Sequence, residues 1–514
     1  MLTREDVLAG QPDYLHQILD RHPPRHDDAP ALFESGQTLS YGQLREAVAM
    51  LADQFERDGI RAGDRVMLVA ENSGLLVASL LALSRLNAWS VVVNARLSAG
   101  EIENIRVHCS ARRVLFGSAV SRDAAAHAER AGAEPRMSDC LGSYHLGPLN
   151  GDCQPEVVEN DPSRQVAVMI YTTGTTGAPK GVMLTHRNLL YIAHSASLLR
   201  QLCSQDRVYA VLPISHVYGL SAVCLASLFA GAALQLEARF DPQELARALR
   251  DDGITLMQGV PTMYARLLEL ADAGQLELFA PQLRFMYAGG SPLDMTLKNA
   301  VEQRFGLTLH NGYGLTESSP TVSQTRIDAP RSDTSIGLPI PGLDIRLMNN
   351  DRDACVAQGE VGELWIRGPN VMKGYYQSPE KTKEVLTADG WLNTGDLARQ
   401  DSDGALFIAG RSKELIIRSG FNVYPPEVEA VIAAFPGVVI AAVVGRPVEG
   451  NEEVVAFLQV AHRESFDTTA LKTFLAERLS PYKRPSKIHV LDSLPATASG
   501  KILKHQLKQQ AQAL

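Results

Sequence analysis

The chain has 514 residues, 45% of them hydrophobic and 21% charged, with a net charge of −9. Its length exceeds an ordinary domain, so two or more domains are expected, and its composition suits a soluble globular protein with ample core. The acidic balance argues against a nucleic-acid partner but allows polyanionic small ligands, which respond to local charge.

Met1–Asp6 is no signal peptide. Residues Tyr14 to Leu19 are expected to be a short helix, followed by a loop at His22-Pro23-Pro24. Ser40 is placed to cap a helix whose Leu44, Val48, Leu51 and Phe55 recur at helical spacing. Val66–Ala70 and Trp89–Val93 read as buried strands on either side of a helix over Gly74–Arg85. The apolar run in that helix is too short to span a bilayer. Strand alternating with helix predicts a parallel, doubly wound sheet. The stretch 110–165 carries little signal. Cys109, Cys140, Cys153, Cys203, Cys224 and Cys355 make no C-x-x-C pair or metal spacing, and read as reduced thiols of a cytoplasmic protein.

The densest chemistry lies in Tyr171-Thr172-Thr173-Gly174-Thr175-Thr176-Gly177-Ala178-Pro179-Lys180-Gly181-Val182. The apolar run Val166–Ile170 before it suits a strand, and Thr185–Ile192 after it could open a helix. Glycines let backbone N–H groups close on an anion, hydroxyls add donors and Lys180 adds charge: a phosphate loop. It is not the P-loop G-x-x-x-x-G-K-[ST], because Lys180 follows Pro179 and precedes Gly181.

This stretch resembles T-[ST]-G-T-T-G-x-P-K-G, the signature of the adenylate-forming superfamily of acyl-CoA synthetases, peptide-synthetase adenylation domains and luciferases. The resemblance runs over about residues 36 to 505. Its segment G-A-x-x-x-P-L-N-P-R is matched only loosely by Asn87–Arg96, where both prolines are missing.

Further along, His216 and Tyr218 follow a strand expected over Val208–Pro213. A lone histidine there is weak evidence, since it could simply be structural. The resemblance implies that His216 lies beside the bound carboxylate and that Tyr218 forms a wall of the acyl pocket. A strand at Arg284–Ala288 leads to Gly289-Gly290-Ser291-Pro292-Leu293, matching the family's adenine loop. Another at Leu307–His310 leads to Asn311-Gly312-Tyr313-Gly314-Leu315-Thr316-Glu317, matching the segment that supplies most other nucleotide contacts. Tyr313 offers a flat face for adenine, Thr316 a hydroxyl for the α-phosphate and Glu317 a hard ligand for Mg²⁺.

From Gly337 to Leu415 the chain turns β-rich. The resemblance assigns Asp396 of T-G-D to the ribose, Arg411 of G-R-x-K to ribose and phosphate, and Lys413 to a hinge. Beyond it, strands at Val438–Gly445, Val454–Val460 and Ile488–Leu491 with helices at Pro426–Phe435 and Thr468–Leu479 make a small α+β domain. Pro495-Ala496-Thr497-Ala498-Ser499-Gly500-Lys501 matches P-x-T-x-[ST]-G-K, which carries the family's catalytic lysine.

The expected fold is therefore α/β. A large N-terminal domain of several subdomains (1–412) has parallel-rich sheets and a β-rich subdomain. A mobile α+β lid (413–514) follows, hinged at Lys413. The resemblance implies an acyl-CoA synthetase using ATP, Mg²⁺ and coenzyme A, with Lys501, His216, Thr316 and Glu317 catalytic and Gly420 beside a pantetheine tunnel. The segments Val217–Leu220, Val260–Thr262, Tyr287–Gly289, Leu315 and Ser318–Pro320 would line the acyl pocket. They carry no second cation except Arg284, which reads as a surface charge, and so suit a hydrophobic fatty or aromatic monocarboxylate. Delivery to a carrier protein, a malonate-type dicarboxylate substrate and a non-catalytic nucleotide sensor stay open as alternatives, as do a homodimer and a CoA-phosphate role for Lys483 and Arg484.

Overall fold

A computed structural model describes residues 3–173, 179–418, 421–448, 451–461, 463–496 and 502–513. The chain divides into two compact units, Met1–Ile345 with Ile366–Leu392, and Arg346–Trp365 with Asn393–Leu514. Among the described residues no helix is long and apolar enough to cross a membrane.

The first unit holds two large α/β sheets. In one, Arg65–Ala70, Trp89–Asn94, Arg113–Phe116 and Val166–Thr173 pair in parallel. All six residues of Arg65–Ala70 are buried, the unbroken pattern of a strand covered on both faces. The sheet is parallel-rich as expected, and antiparallel strands extend it at both sides. On one side are Glu134–Ser138 and Gly142–Leu146, and on the other Pro179–Thr185 and Gly374–Tyr375. The second sheet repeats the plan: Pro30–Glu34, Ala233–Leu236, Arg207–Ala210, Leu256–Gly259, Phe285–Ala288 and Leu309–Gly314 are parallel, with antiparallel strands at the ends.

Local chemistry sets the helices. Ser40 Oγ accepts the Gln43 amide at 3.2 Å and Gln43 reciprocates, opening Tyr41–Arg57. Gly74–Arg85 is buried on nearly every face, as its apolar run requires. Residues 15–21 form a 3-10 rather than an α-helix.

The second unit carries a four-stranded sheet of Asp344–Met348, Val361–Arg367, Leu392–Gln400 and Leu406–Arg411. Its three-stranded sheet joins Val438–Val448, Asn451–Val460 and Lys487–Leu491. Alternation along Asn451–Val460 sends Val454, Ala456 and Leu458 against the helices Pro425–Ala433 and Thr468–Arg478. Val455 and Phe457 point the other way, toward Leu507 and Ala511 of the helix Lys504–Gln512.

The helix expected straight after the phosphate loop is preceded by a full strand. Val166–Thr173 folds back on Pro179–Thr185, so Lys180 sits on a strand opposite Thr172. The apolar residues Val182, Met183 and Leu184 extend the sheet before Thr185 caps the helix His186–Leu199. Thr185 Oγ1 accepts the Asn188 amide at 3.2 Å, and Asn188 Oδ1 accepts that of Thr185 at 2.9 Å. Replacing Thr185 by Ala should cost about 1 kcal/mol of stability, seen as a lower urea midpoint at unchanged slope. An unmoved midpoint would show that the Asn188 contacts alone start this helix.

Candidate active site

The hairpin brings Lys180 to a specific neighbour. Tyr375 pairs with Val182 on the strand beside it, and the Lys180 ammonium lies 5.0 Å from the Tyr375 ring centroid. The Tyr375 hydroxyl donates to Glu317 Oε1 at 2.8 Å. Burial first, and then the Glu317 carboxylate, push the Tyr375 phenol up, which keeps it a proton donor. The Glu317 carbonyl accepts the Met372 amide at 2.9 Å, fixing its short helix to the same segment. A cation, a phenol and a carboxylate thus meet at the base of the Gly/Thr loop. Gly174, Thr175, Thr176 and Gly177 lie outside the described residues. Thr172 and Thr173 end the first strand.

A single carboxylate fixed by one phenol fits a magnesium ion that takes most of its oxygens from phosphates and water. Thr316, one residue earlier, is buried in the same short helix.

The nucleotide segments are close-packed. Asn311, Gly312, Tyr313 and Gly314 lie on the strand Leu309–Gly314 itself rather than after it. A Cβ on Gly312 would fall 1.9 Å from the Tyr287 hydroxyl, and one on Gly314 2.2 Å from the Pro320 carbonyl. Only glycine fits at either position. Asn311 Nδ2 donates to the carbonyls of Thr334 and Ser335, so its amide ties down a loop. Gly289 is buried against the rings of Tyr287 and Tyr218, while Gly290, with φ +79°, and Ser291 are exposed.

His216 is exposed, and its Nδ1 accepts the Tyr218 amide at 3.3 Å, which places the ring proton on Nε2. Tyr218 is buried with its ring edge-on to Tyr287 at 6.0 Å. Arg284 is no lone surface charge. It grips Asp206 through both terminal contacts, at 2.9 and 2.6 Å, and also reaches the Gln201 carbonyl.

In the second unit, Asp396 and Arg411 face each other across antiparallel strands, with Nε 3.2 Å from Oδ1. The carboxylate is nearly buried and the guanidinium half-exposed, so acceptors and donors stand side by side as a ribose and its phosphate require. Lys413 is exposed in the short 3-10 helix Ser412–Glu414. Lys501 and Gly420 lie outside the described residues. The base of the Lys501 segment is closed, because Leu503 donates to the Pro495 carbonyl and Ala496 bridges Ile502. Lys504 pairs with Glu414 at 3.1 Å and with Glu429 at 2.8 Å. Lys483 is bound to Glu427, and Arg484 caps the carbonyls of Leu479 and Ala476, so neither is a solvated turn residue.

Tyr375 and Lys504 escaped sequence reasoning. Their partners are distant in sequence, and a tyrosine in G-Y-Y or a lysine in a terminal helix carries no spacing signal.

The model of the AMP-binding enzyme family matches residues 19–376, and that of its C-terminal domain matches 427–501. The chain belongs to the AMP-binding enzyme family. Within this family it is 35% identical to a feruloyl-CoA synthase of Amycolatopsis over 93% of this chain and 95% of that one. It is 32% identical to the long-chain-fatty-acid–CoA ligase of Salmonella typhimurium, over 97% and 94%. Among solved structures, ATP-bound MatB from Rhodopseudomonas palustris superposes with TM-score 0.84 at 28% identity, covering 97% of this chain and 99% of that one. The o-succinylbenzoate coenzyme A synthetase of Bacillus subtilis with ATP and magnesium gives 0.80 at 28%, covering 97% and 99%. The family and these relatives make the protein a ligase of the acyl-CoA synthetase kind, with the expected α/β fold and smaller C-terminal domain.

Removing the phenol tests the cluster. Tyr375→Phe should slow acid-dependent pyrophosphate release about 10-fold, the worth of one hydrogen bond to a charged group, with the near-UV circular dichroism unchanged. A rate equal to wild type would show that Glu317 is held without Tyr375.

Proposed function

We propose that this protein activates a hydrophobic monocarboxylic acid, fatty or aromatic, as an acyl-adenylate and passes the acyl group to coenzyme A. The observation that carries the reading is the meeting of Lys180, Tyr375 and Glu317 beside the Gly/Thr loop. In the first step the substrate carboxylate attacks the α-phosphorus of ATP, and pyrophosphate leaves. Thr172–Gly177 and Lys180 hold the departing pyrophosphate, while Thr316 donates to the α-phosphate. Bound magnesium would supply charge neutralisation on the phosphate oxygens, with Glu317 holding it. Gly289, Gly290, Ser291 and Asn311–Gly314 frame the adenine, and Asp396 with Arg411 holds the ribose. In the second step the CoA thiolate attacks the acyl carbon and AMP leaves. Alignment and charge neutralisation carry the catalysis, so no protein nucleophile is needed.

His216 stands beside the reacting carboxylate and Tyr218 walls the acyl pocket. The lid turns about Lys413, which gives the division between 1–412 and 413–514 its purpose: Lys501 serves the first step, and rotation opens the CoA path beside Gly420. The closure of Arg284 on Asp206 supports a monocarboxylate, because that cation is already satisfied. The enzyme acts on small molecules in the cytoplasm.

A screen of carboxylic acids for acid-dependent pyrophosphate release, with CoA present, tests this reading. Medium-chain or aromatic acids should exceed acetate and malonate by at least ~10-fold in kcat/KM. Malonate as the best substrate would overturn the pocket reading, and a carrier protein needed in place of CoA would overturn the acceptor.

Lys501→Ala should slow adenylate formation by ~10²–10³ or more, the scale of a deleted transition-state donor. Thioester formation from supplied acyl-adenylate should persist. An undiminished rate of pyrophosphate release would remove Lys501 from the first step.

A further inference from the structure

Arg200 closes the helix His186–Leu199 and is completely buried. Its Nη1 donates to the Ala222 carbonyl at 2.5 Å and to Gln258 Oε1 at 2.6 Å. Its guanidinium carbon lies 4.7 Å from the Tyr287 ring centroid. These two hydrogen bonds use the protons of one nitrogen only. Among the described residues no well-aligned acceptor meets Nε or Nη2, although the Tyr287 hydroxyl interacts with the guanidinium, and neither acceptor on Nη1 is a carboxylate. A guanidinium keeps its charge in any protein environment, so burying one with most donors unanswered is costly unless something answers them.

Two further orphans surround the same ring. Gln258 Nε2 and the Tyr218 hydroxyl are buried without partners among the described residues. Gln258 is already bonded to Arg200, and Tyr218 packs edge-on to Tyr287. Burial raises the Tyr218 phenol well above its ordinary range, so it too remains a donor. Arg200, Gln258 and Tyr218 therefore gather donors without acceptors around Tyr287, next to the segments that form the acyl pocket. His216, at the carboxylate end, connects to this group through the Tyr218 amide.

We infer that Arg200, with Gln258 and Tyr218, determines specificity by receiving an oxygen acceptor at the end of the acid remote from its reacting carboxylate. The inference rests on the acid–CoA ligase reading above and narrows its hydrophobic monocarboxylic acid to one bearing a distal hydroxyl. A site of unpaired buried donors rejects an otherwise identical acid lacking the oxygen, since binding that acid would leave the donors unanswered. An apolar pocket discriminates far less between such analogues.

Two pairs of acids differing only in that oxygen make the test: 4-hydroxycinnamate against cinnamate, and nonanedioate against nonanoate. For the full-length enzyme, kcat/KM measured as CoA-dependent AMP production should favour the oxygenated member of one pair by at least ~10-fold. In Arg200→Met that ratio should fall to within about 2-fold, because the donors that read the oxygen are gone. The ratio within one protein cancels any loss common to both acids. Preference in the phenolic pair identifies a hydroxyaryl acid. Preference in the dicarboxylate pair keeps the role of Arg200 and overturns the monocarboxylate reading instead. Equal values in both wild-type pairs, or a preference that survives Arg200→Met, would overturn the inference, and the wild-type ratios decide it even if the variant fails to fold. If no acid of any kind is activated, the ligase reading itself fails and the inference falls with it.

Discussion

The first unit's site depends on one pairing, that of Val166–Thr173 with Pro179–Thr185. The register fixes Thr172 opposite Lys180 across two antiparallel strands. One strand further on, the same sheet presents Tyr375, which holds Glu317. A slip of one residue would turn Lys180 to the other face and part it from the Tyr375 ring. The cation and the acidic group are therefore positioned by backbone hydrogen bonds. For phosphoryl chemistry that matters, because the protein contributes mainly fixed charge, and charge that must reorganise is worth little.

The same economy explains the small residues of the nucleotide segment. Gly312 and Gly314 are occupied on their Cβ side by Tyr287 and the Pro320 carbonyl. Tyr287 closes against both Gly289 and Gly312, so the two glycine segments are built on a common wall.

Much of this was legible in the chain. The cap at Ser40, the helix Gly74–Arg85 and the buried strands follow from side-chain oxygen at a helix start or from unbroken apolar runs. Legibility failed where short strands have no pattern to distinguish them. Pro179–Thr185 opens with a proline and a lysine, which read as loop, and becomes a strand because Val166–Thr173 offers it an unpaired edge. The hairpin Glu134–Ser138 with Gly142–Leu146 is largely polar and declares no period. Partnerships across long separations were the other blind spot. Arg284 reads as a surface charge until Asp206 is folded beneath it, and Arg200 reads as the end of a helix until Gln258 and Tyr287 arrive from distant strands.

In the second unit the candidate nucleotide contacts and the Lys501 segment belong to different elements. Asp396 and Arg411 sit opposite each other in a ladder, where Thr394 further ties the Asp396 amide and the Leu364 carbonyl. That arrangement suits a nucleotide contact kept through both steps. Lys413 follows on a single 3-10 turn, the weakest kind of helix and the easiest to redirect. Beyond it, Lys504 joins Glu414 to Glu429, and the base of the Lys501 segment is pinned by Leu503 and Ala496. The segment after Lys413 is thus linked by a half-buried cation to the helix Lys504–Gln512. Lys504 holds both carboxylates at once, so losing either one leaves the other contact in place. A rotation beginning at residue 413 would therefore carry the helix Lys504–Gln512 with it.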